Sequence, residues 1–359
     1  MNEKLVEDIA NAVLYEGYML YPYRPSSVKN RQRWNFGVVY PKAYSELQSG
    51  ADNWFMQTEC LATGSSSLRL RIKVRFLQAI AKTVGELKTP LKEWIGNSRN
   101  ECEQDFHVVE TLQIGDQTLQ TWQEAVEREI VVPPFGSGAT DRASRSVAQF
   151  FQAERELEPV RAPNGLFSAV IVRTKGAIGV QVESAIERLQ DELFKITVRV
   201  SNVTDTSGSI SVSRDEALMH SLLSAHTILG ISGGEFVSLL DPPDSLKDAV
   251  SSCKNVGTWP VLAGEEGQRD GILSSPIILY DYPQIAPESP GNLFDGTEID
   301  EILALRILTL TEDEKSEMRS ADDRGRQILE RTEALPPEHF MKLHGVLRGL
   351  RPAGEEEQP

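Results

Sequence analysis

The chain has 359 residues, 40% hydrophobic and 25% charged, with a formal net charge of −16 at pH 7 and a pI near 4.9. That length fits two or three folding units. The acidity argues against non-specific nucleic-acid binding, which needs clustered Lys and Arg. Cys60, Cys102 and Cys253 are far apart and odd in number, so no disulfide framework is expected and a reducing cytoplasm is the simple setting.

The opening MNEKLVEDIANAVL lacks a basic stretch followed by an apolar core, so no secretory signal is expected. No apolar run reaches the ~20 residues of a membrane helix. Residues 3–16 read as an amphipathic helix, with Leu5, Ile9 and Val13 every four residues, acids near its start and Gly17 at its stop.

Strand periodicity follows. In RQRWNFGVVY, Trp34, Phe36, Val38 and Tyr40 alternate onto one face. WFMQTECL, ATGSSS and LRLRIKVRF read as a hairpin over 54–76. Its second arm sets Leu68, Leu70, Ile72, Val74 and Phe76 against Arg69, Arg71, Lys73 and Arg75. FHVVETLQI and TLQTWQEAV are strand candidates joined by Gly115-Asp116, with REIVVPP after them. Ala143 to Leu157 reads as a short helix. LFSAVIVRT, IGVQVES and LFKITVRVSNVT resume the strands. Asp215 to Leu229 reads as a helix with Ala217, Leu218, Leu222 and Ala225 on one face, ended by GISGG. SSPIILYDYPQIAPES is extended and leads to a hinge near 284–296. Beyond it, four short helices are expected, one opened by the Thr311 and Glu314 capping box.

The expected fold is therefore α+β: a mainly antiparallel, sandwich-like β body with a small C-terminal helical unit. Residues 1–290 form the body, with a candidate division at 134–164. Residues 291–350 form the helical unit, and 351–359 a disordered tail.

Chemistry-bearing motifs are sparse. There is no C-x-x-C pair, no phosphate-binding P-loop and no G-x-S-x-G elbow. His220 and His226 are six apart and His339 and His344 five apart, spacings that put ligands on different faces of a helix. GSGATDRAS (136–144) reads as a surface loop, and acid pairs such as Asp300-Glu301 and Asp322-Asp323 as solvated helix faces. No catalytic or metal residue and no cofactor is expected. A rival reading is an enzyme assembled from distant groups, around Cys102 or Cys60, His107 and Asp281-Tyr282. Another is self-association through the basic strand 68–76, against which stands pairing of its cations with acids in VETLQI or QEAVERE.

One segment stands apart. Six of the eight tyrosines lie at Tyr15, Tyr18, Tyr21, Tyr23, Tyr40 and Tyr44, in a stretch that also carries Arg24, Lys29, Arg31 and Arg33. Tyr and Arg combine contact area with a polar handle and are enriched at protein interfaces. Tyr18, Tyr21, Tyr23, Arg24, Lys29, Arg31, Arg33 and Trp34 are the candidate partner-binding residues. The alternative is that the tyrosines roof the β core, and both readings can hold together.

LYEGYMLYPYRPSSVKNRQRWNFGVVYP, together with FDGTEIDEILALRILTLTEDEKSEMR and ILERTEALPPEHFMKLHG, resembles an uncharacterised bacterial protein family associated with gene clusters for uptake NiFe hydrogenases. The resemblance covers about a quarter of the chain, at its two ends. It implies a non-enzymatic accessory role in assembling, maturing or regulating a hydrogenase, with a hydrogenase subunit or maturation factor as the protein partner. It supplies no catalytic residues, and the oligomeric state stays open.

Overall fold

A computed structural model describes residues 2–14, 37–49, 52–94, 105–136, 138, 140–206, 213–284 and 310–321, with 326, 329, 330 and 332–334. These residues form a mainly antiparallel β protein with a few short helices. Helix α1 spans Glu3–Leu14 and α2 Lys42–Leu47. The strands are β1 (Phe55–Leu91), β2 (Phe106–Val109), β3 (Thr111–Ile114), β4 (Gln117–Gln120), β5 (Trp122–Phe135), β6 (Arg142–Phe151), β7 (Glu154–Arg161), β8 (Phe167–Lys175), β9 (Ile178–Gln190) and β10 (Leu193–Asn202). Then come α3 (Arg214–Leu218), β11 (Leu223–Phe236), α4 (Lys247–Ser251), β12 (Trp259–Leu262), β13 (Gly271–Ser275) and α5 (Glu312–Ala321).

Among the described residues, eleven strands share one sheet, and β3 and β4 form a separate hairpin turned by Gly115-Asp116, as expected. The spine is β1, 37 residues long. One of its edges pairs first with β10 (Phe55 to Thr63) and later with β5 (Leu70 to Lys82). Its other edge pairs with β11 from Ala62 to Leu77. β9 and β6 extend the sheet beyond β10, and β13 and β12 extend it beyond β11.

The hairpin expected over 54–76 is thus a single strand that bends. Gly64 lies opposite Gly234, but Arg69 lies opposite Ser232, so β1 carries extra residues at the Ser65–Ser67 corner. A β-carbon on Gly64 would stand 2.6 Å from the Gly233 carbonyl oxygen, so this close approach requires glycine. Both arms of β1 feed one core. Leu70, Ile72, Val74 and Phe76 pack with Ile130 and Val132 of β5, Val180 and Val182 of β9, and Ile196 and Val198 of β10.

Two expected helices are strands. The stretch Ala143 to Leu157 forms β6 and β7, and the second half of Asp215 to Leu229, from Leu223 on, belongs to β11, leaving only Arg214–Leu218 helical. On β6 the partly buried apolar residues are Ala143, Val147 and Phe151, and the positions between them on the same face hold the exposed Arg145 and Gln149. Apolar residues every four positions imitate a helix. On β11 residues 223–231 are buried without alternation. One face meets the core through Leu229 and Ile231, and on the other Ile228 meets Val6, Ile9 and Ala10 of α1. A strand covered on both faces loses its period of two.

The expected helix at the N-terminus is present, and so is the capping box. Glu314 N–H donates to Thr311 Oγ1 at 3.3 Å, and Thr311 N–H donates to Glu314 Oε2 at 2.8 Å. Most of the expected C-terminal helical unit and the tail lie outside the described residues.

Candidate functional site

Tyr18, Tyr21, Tyr23, Arg24, Lys29, Arg31, Arg33 and Trp34 lie outside the described residues, as do Cys102, His339 and His344. The basic strand is described, and three of its four cations, Arg71, Lys73 and Arg75, reach carboxylates within the chain. Lys73 Nζ lies 2.5 Å from Glu7, 3.3 Å from Glu3 and 3.7 Å from Glu129, and Arg75 lies 3.0 Å from Glu127. The partners on β5 fall in the QEAVERE stretch, as the pairing argument expected; those on α1 were not anticipated. Burial alone would lower the Lys73 pKa, but the surrounding carboxylates outweigh it and raise it above the ordinary lysine value.

The groups of the enzyme reading sit apart. His107 is on β2, paired at 2.9 Å with Glu86 across the distal arm of β1. Asp281 belongs to the other flank. It accepts from Leu262 N–H at 2.8 Å and from Ser238 Oγ at 2.5 Å, while Tyr282 N–H donates to Leu262 O at 2.7 Å. Asp281 and Tyr282 thereby close the free edge of β12. Cys60 is fully buried, and burial pushes its thiol pKa well above the usual value, so its nucleophilic thiolate is scarce. Among the described residues no three His, Cys, Asp or Glu side chains gather as a metal site.

A serine–histidine contact exists where sequence reasoning saw none. His226 Nδ1–H donates to the Ser224 carbonyl at 2.6 Å, which leaves Nε2, 3.2 Å away, to accept from Ser275 Oγ. The two residues are 49 apart and meet because β11 pairs with β13. Both have 0% exposure, so this pair is a core element with no access for a substrate.

A concavity lies beside the point where the Tyr/Arg segment joins the described structure. Val39 exchanges hydrogen bonds with Leu222, and Asn202 Nδ2 donates to the carbonyls of Val39 (2.9 Å) and His220 (2.8 Å). These bonds fix Val38 to Tyr40 against the sheet. Pro41 then opens α2, and the Tyr40 and Tyr44 rings pack at 5.1 Å with a 30° tilt. Both tyrosines are buried, so this end of the aromatic cluster faces inward. Across from them Ser213 caps α3, and Arg214 Nε donates to Tyr40 Oη at 2.9 Å.

A cavity of about 300 Å³ opens here. Val39, Tyr40, Met56 and Pro276 form its buried floor, and Asn53, Arg214 and Trp259 its exposed rim, with Asp52 beside them. Burial raises the Tyr40 pKa, outweighing the nearby guanidinium. Burial and then the Asp52 carboxylate raise that of Tyr44. The bond to Tyr40 raises the Arg214 pKa further. Tyr40 and Arg214 are 174 residues apart, so no local pattern announces the site. Trp259 on its rim exposes 46% of its surface, and Ile278 and Tyr280, which follow the lining residue Pro276 in the chain, expose 72% and 86%.

In searches against protein-family models and curated proteins, the chain matches none. Among the described residues no helix is long and apolar enough to cross a membrane.

Proposed function

We propose that this chain is a cytoplasmic, non-enzymatic accessory protein that assists assembly, maturation or regulation of a NiFe hydrogenase through protein contacts. The observation that carries the contact reading is the exposed trio Trp259, Ile278 and Tyr280. Exposed large apolar and aromatic side chains are enriched at protein contacts. The Tyr/Arg segment joins this surface at Gly37, where a β-carbon would stand 2.4 Å from Pro276 Cβ. Arg24, Lys29, Arg31 and Arg33 then meet an acidic or mixed surface of the partner, and the aromatic residues supply the contact area. The hydrogenase assignment rests on the resemblance at the two ends of the chain. A sandwich-like body carrying a small helical unit over 291–350 completes the proposal, with the helical unit as a second docking surface.

The test is an affinity pull-down from the native host under hydrogenase-inducing conditions, with bound proteins identified by mass spectrometry. Retention of a hydrogenase subunit or maturation factor, reduced by Trp259→Ala with Tyr280→Ala, supports the proposal. A well-folded bait that retains no such protein overturns it.

A further inference from the structure

The cavity beside Tyr40 is lined by two opposite charges, Arg214 and Asp52, neither of which has an ion pair among the described residues. Arg214 has a single hydrogen bond among the described residues, through Nε to Tyr40, which leaves its Nη donors uncommitted. The Asp52 carboxylate is hydrogen-bonded to Tyr44 but has no ion pair there, and it lies close enough to Arg214 and Tyr40 to influence their protonation. By contrast Lys73, Arg75, Lys82, Arg173, Lys175 and Lys195 each reach a carboxylate within 4 Å. The same cavity is lined by the apolar Val39, Met56 and Pro276 and by Trp259.

We propose that this cavity binds a free amino acid with an apolar side chain, its carboxylate on Arg214 and its ammonium on Asp52. A volume of about 300 Å³ is at the small end of ligand pockets, which suits one amino acid better than a nucleotide or a peptide. The guanidinium is already held by Tyr40, so its donor fork is pre-oriented for a carboxylate. The Trp259 ring offers a flat apolar wall for the side chain and an electron-rich face for the ammonium. This inference stands independently of the hydrogenase proposal.

The test is calorimetric titration of the full chain with L-phenylalanine, L-leucine and L-methionine. Two companions of the first are included: its amide, which lacks the carboxylate, and its N-acetyl form, which lacks the ammonium. Saturable binding of at least one amino acid is expected at millimolar concentration or below. Loss of either charged group should weaken the phenylalanine interaction about tenfold or more, if phenylalanine is a ligand. Arg214→Met and Asp52→Asn should each weaken the best amino acid to a similar degree. The derivatives need no altered protein, so a variant that fails to fold does not spoil the result. No binding by any of the three, or equal binding by phenylalanine and its N-acetyl or amide form, overturns the proposal.

Discussion

Gly64 of β1 and Gly234 of β11 face each other across the corner, and a β-carbon on Gly64 would stand 2.8 Å from the α-carbon of Gly234. Neither chain can bend here unless both omit a side chain. Gly64→Ala should therefore cost roughly 2–3 kcal/mol of stability through forced overpacking. Gly165→Ala is the comparison: its φ is +82° and nothing lies within 4 Å of the added carbon. Left-handed backbone alone should cost about 1–2 kcal/mol. Urea unfolding of the two variants measures the difference, and equal losses would remove the corner argument.

His226 makes stability depend on pH. Burial, aided by Arg75, lowers its pKa to about 4 from the usual 6.5. The unfolded chain therefore binds a proton between pH 6.5 and 4 that the folded chain refuses. Stability is unaffected above this window and falls as pH drops through it, by up to about 1.4 kcal/mol per pH unit and roughly 3 kcal/mol in all. Other groups titrate over the same range, so the informative quantity is the difference from His226→Gln. That variant should lose less stability than the parent between pH 7 and 4.5, and a parallel loss would contradict the assignment.

Lys73 ties α1 to the sheet. Lys73→Met would leave Glu3, Glu7 and Glu129 facing one another without their cation. A loss of roughly 1–3 kcal/mol is expected. Arg69→Glu, at an exposed position on the same strand, should stay within about 0.5 kcal/mol of the parent. Thermal unfolding of both variants separates a structural strand from a binding one.

Asp281 and Tyr282 seal the edge of β12 at Leu262. Asp281→Ala should expose the Leu262 amide, which would exchange with solvent faster while amides in β10 keep their protection. Unchanged exchange at Leu262 would show that Tyr282 alone closes the edge.

Much of the β architecture is readable in the sequence, because Leu68 to Phe76 and β10 alternate in the ordinary way. The capping box at Thr311 and Glu314 is readable too, since its bonds join residues three apart. The corner was not. Gly64 with Ser65–Ser67 looks like a hairpin turn, and Gly233-Gly234 looks like a helix stop, yet they are two sides of one bend. β6 shows four-residue spacing because the exposed Arg145 interrupts the face that carries Ala143 and Val147. β11 shows none because α1 covers its second face. In each case the deciding partner is remote in sequence. The same holds for the cavity, where Arg214 meets Tyr40 only after β11 has brought Leu222 to Val39.

The most direct test of the accessory role compares binding and stability in one variant. Arg31→Glu with Arg33→Glu reverses charge in the Tyr/Arg segment, and the variant serves as bait beside the parent while its thermal midpoint is recorded. The account predicts that a hydrogenase subunit or maturation factor is retained by the parent and lost by the variant, with the midpoint nearly unchanged. Equal loss of binding and of stability, or retention unaffected by the reversal, would contradict it.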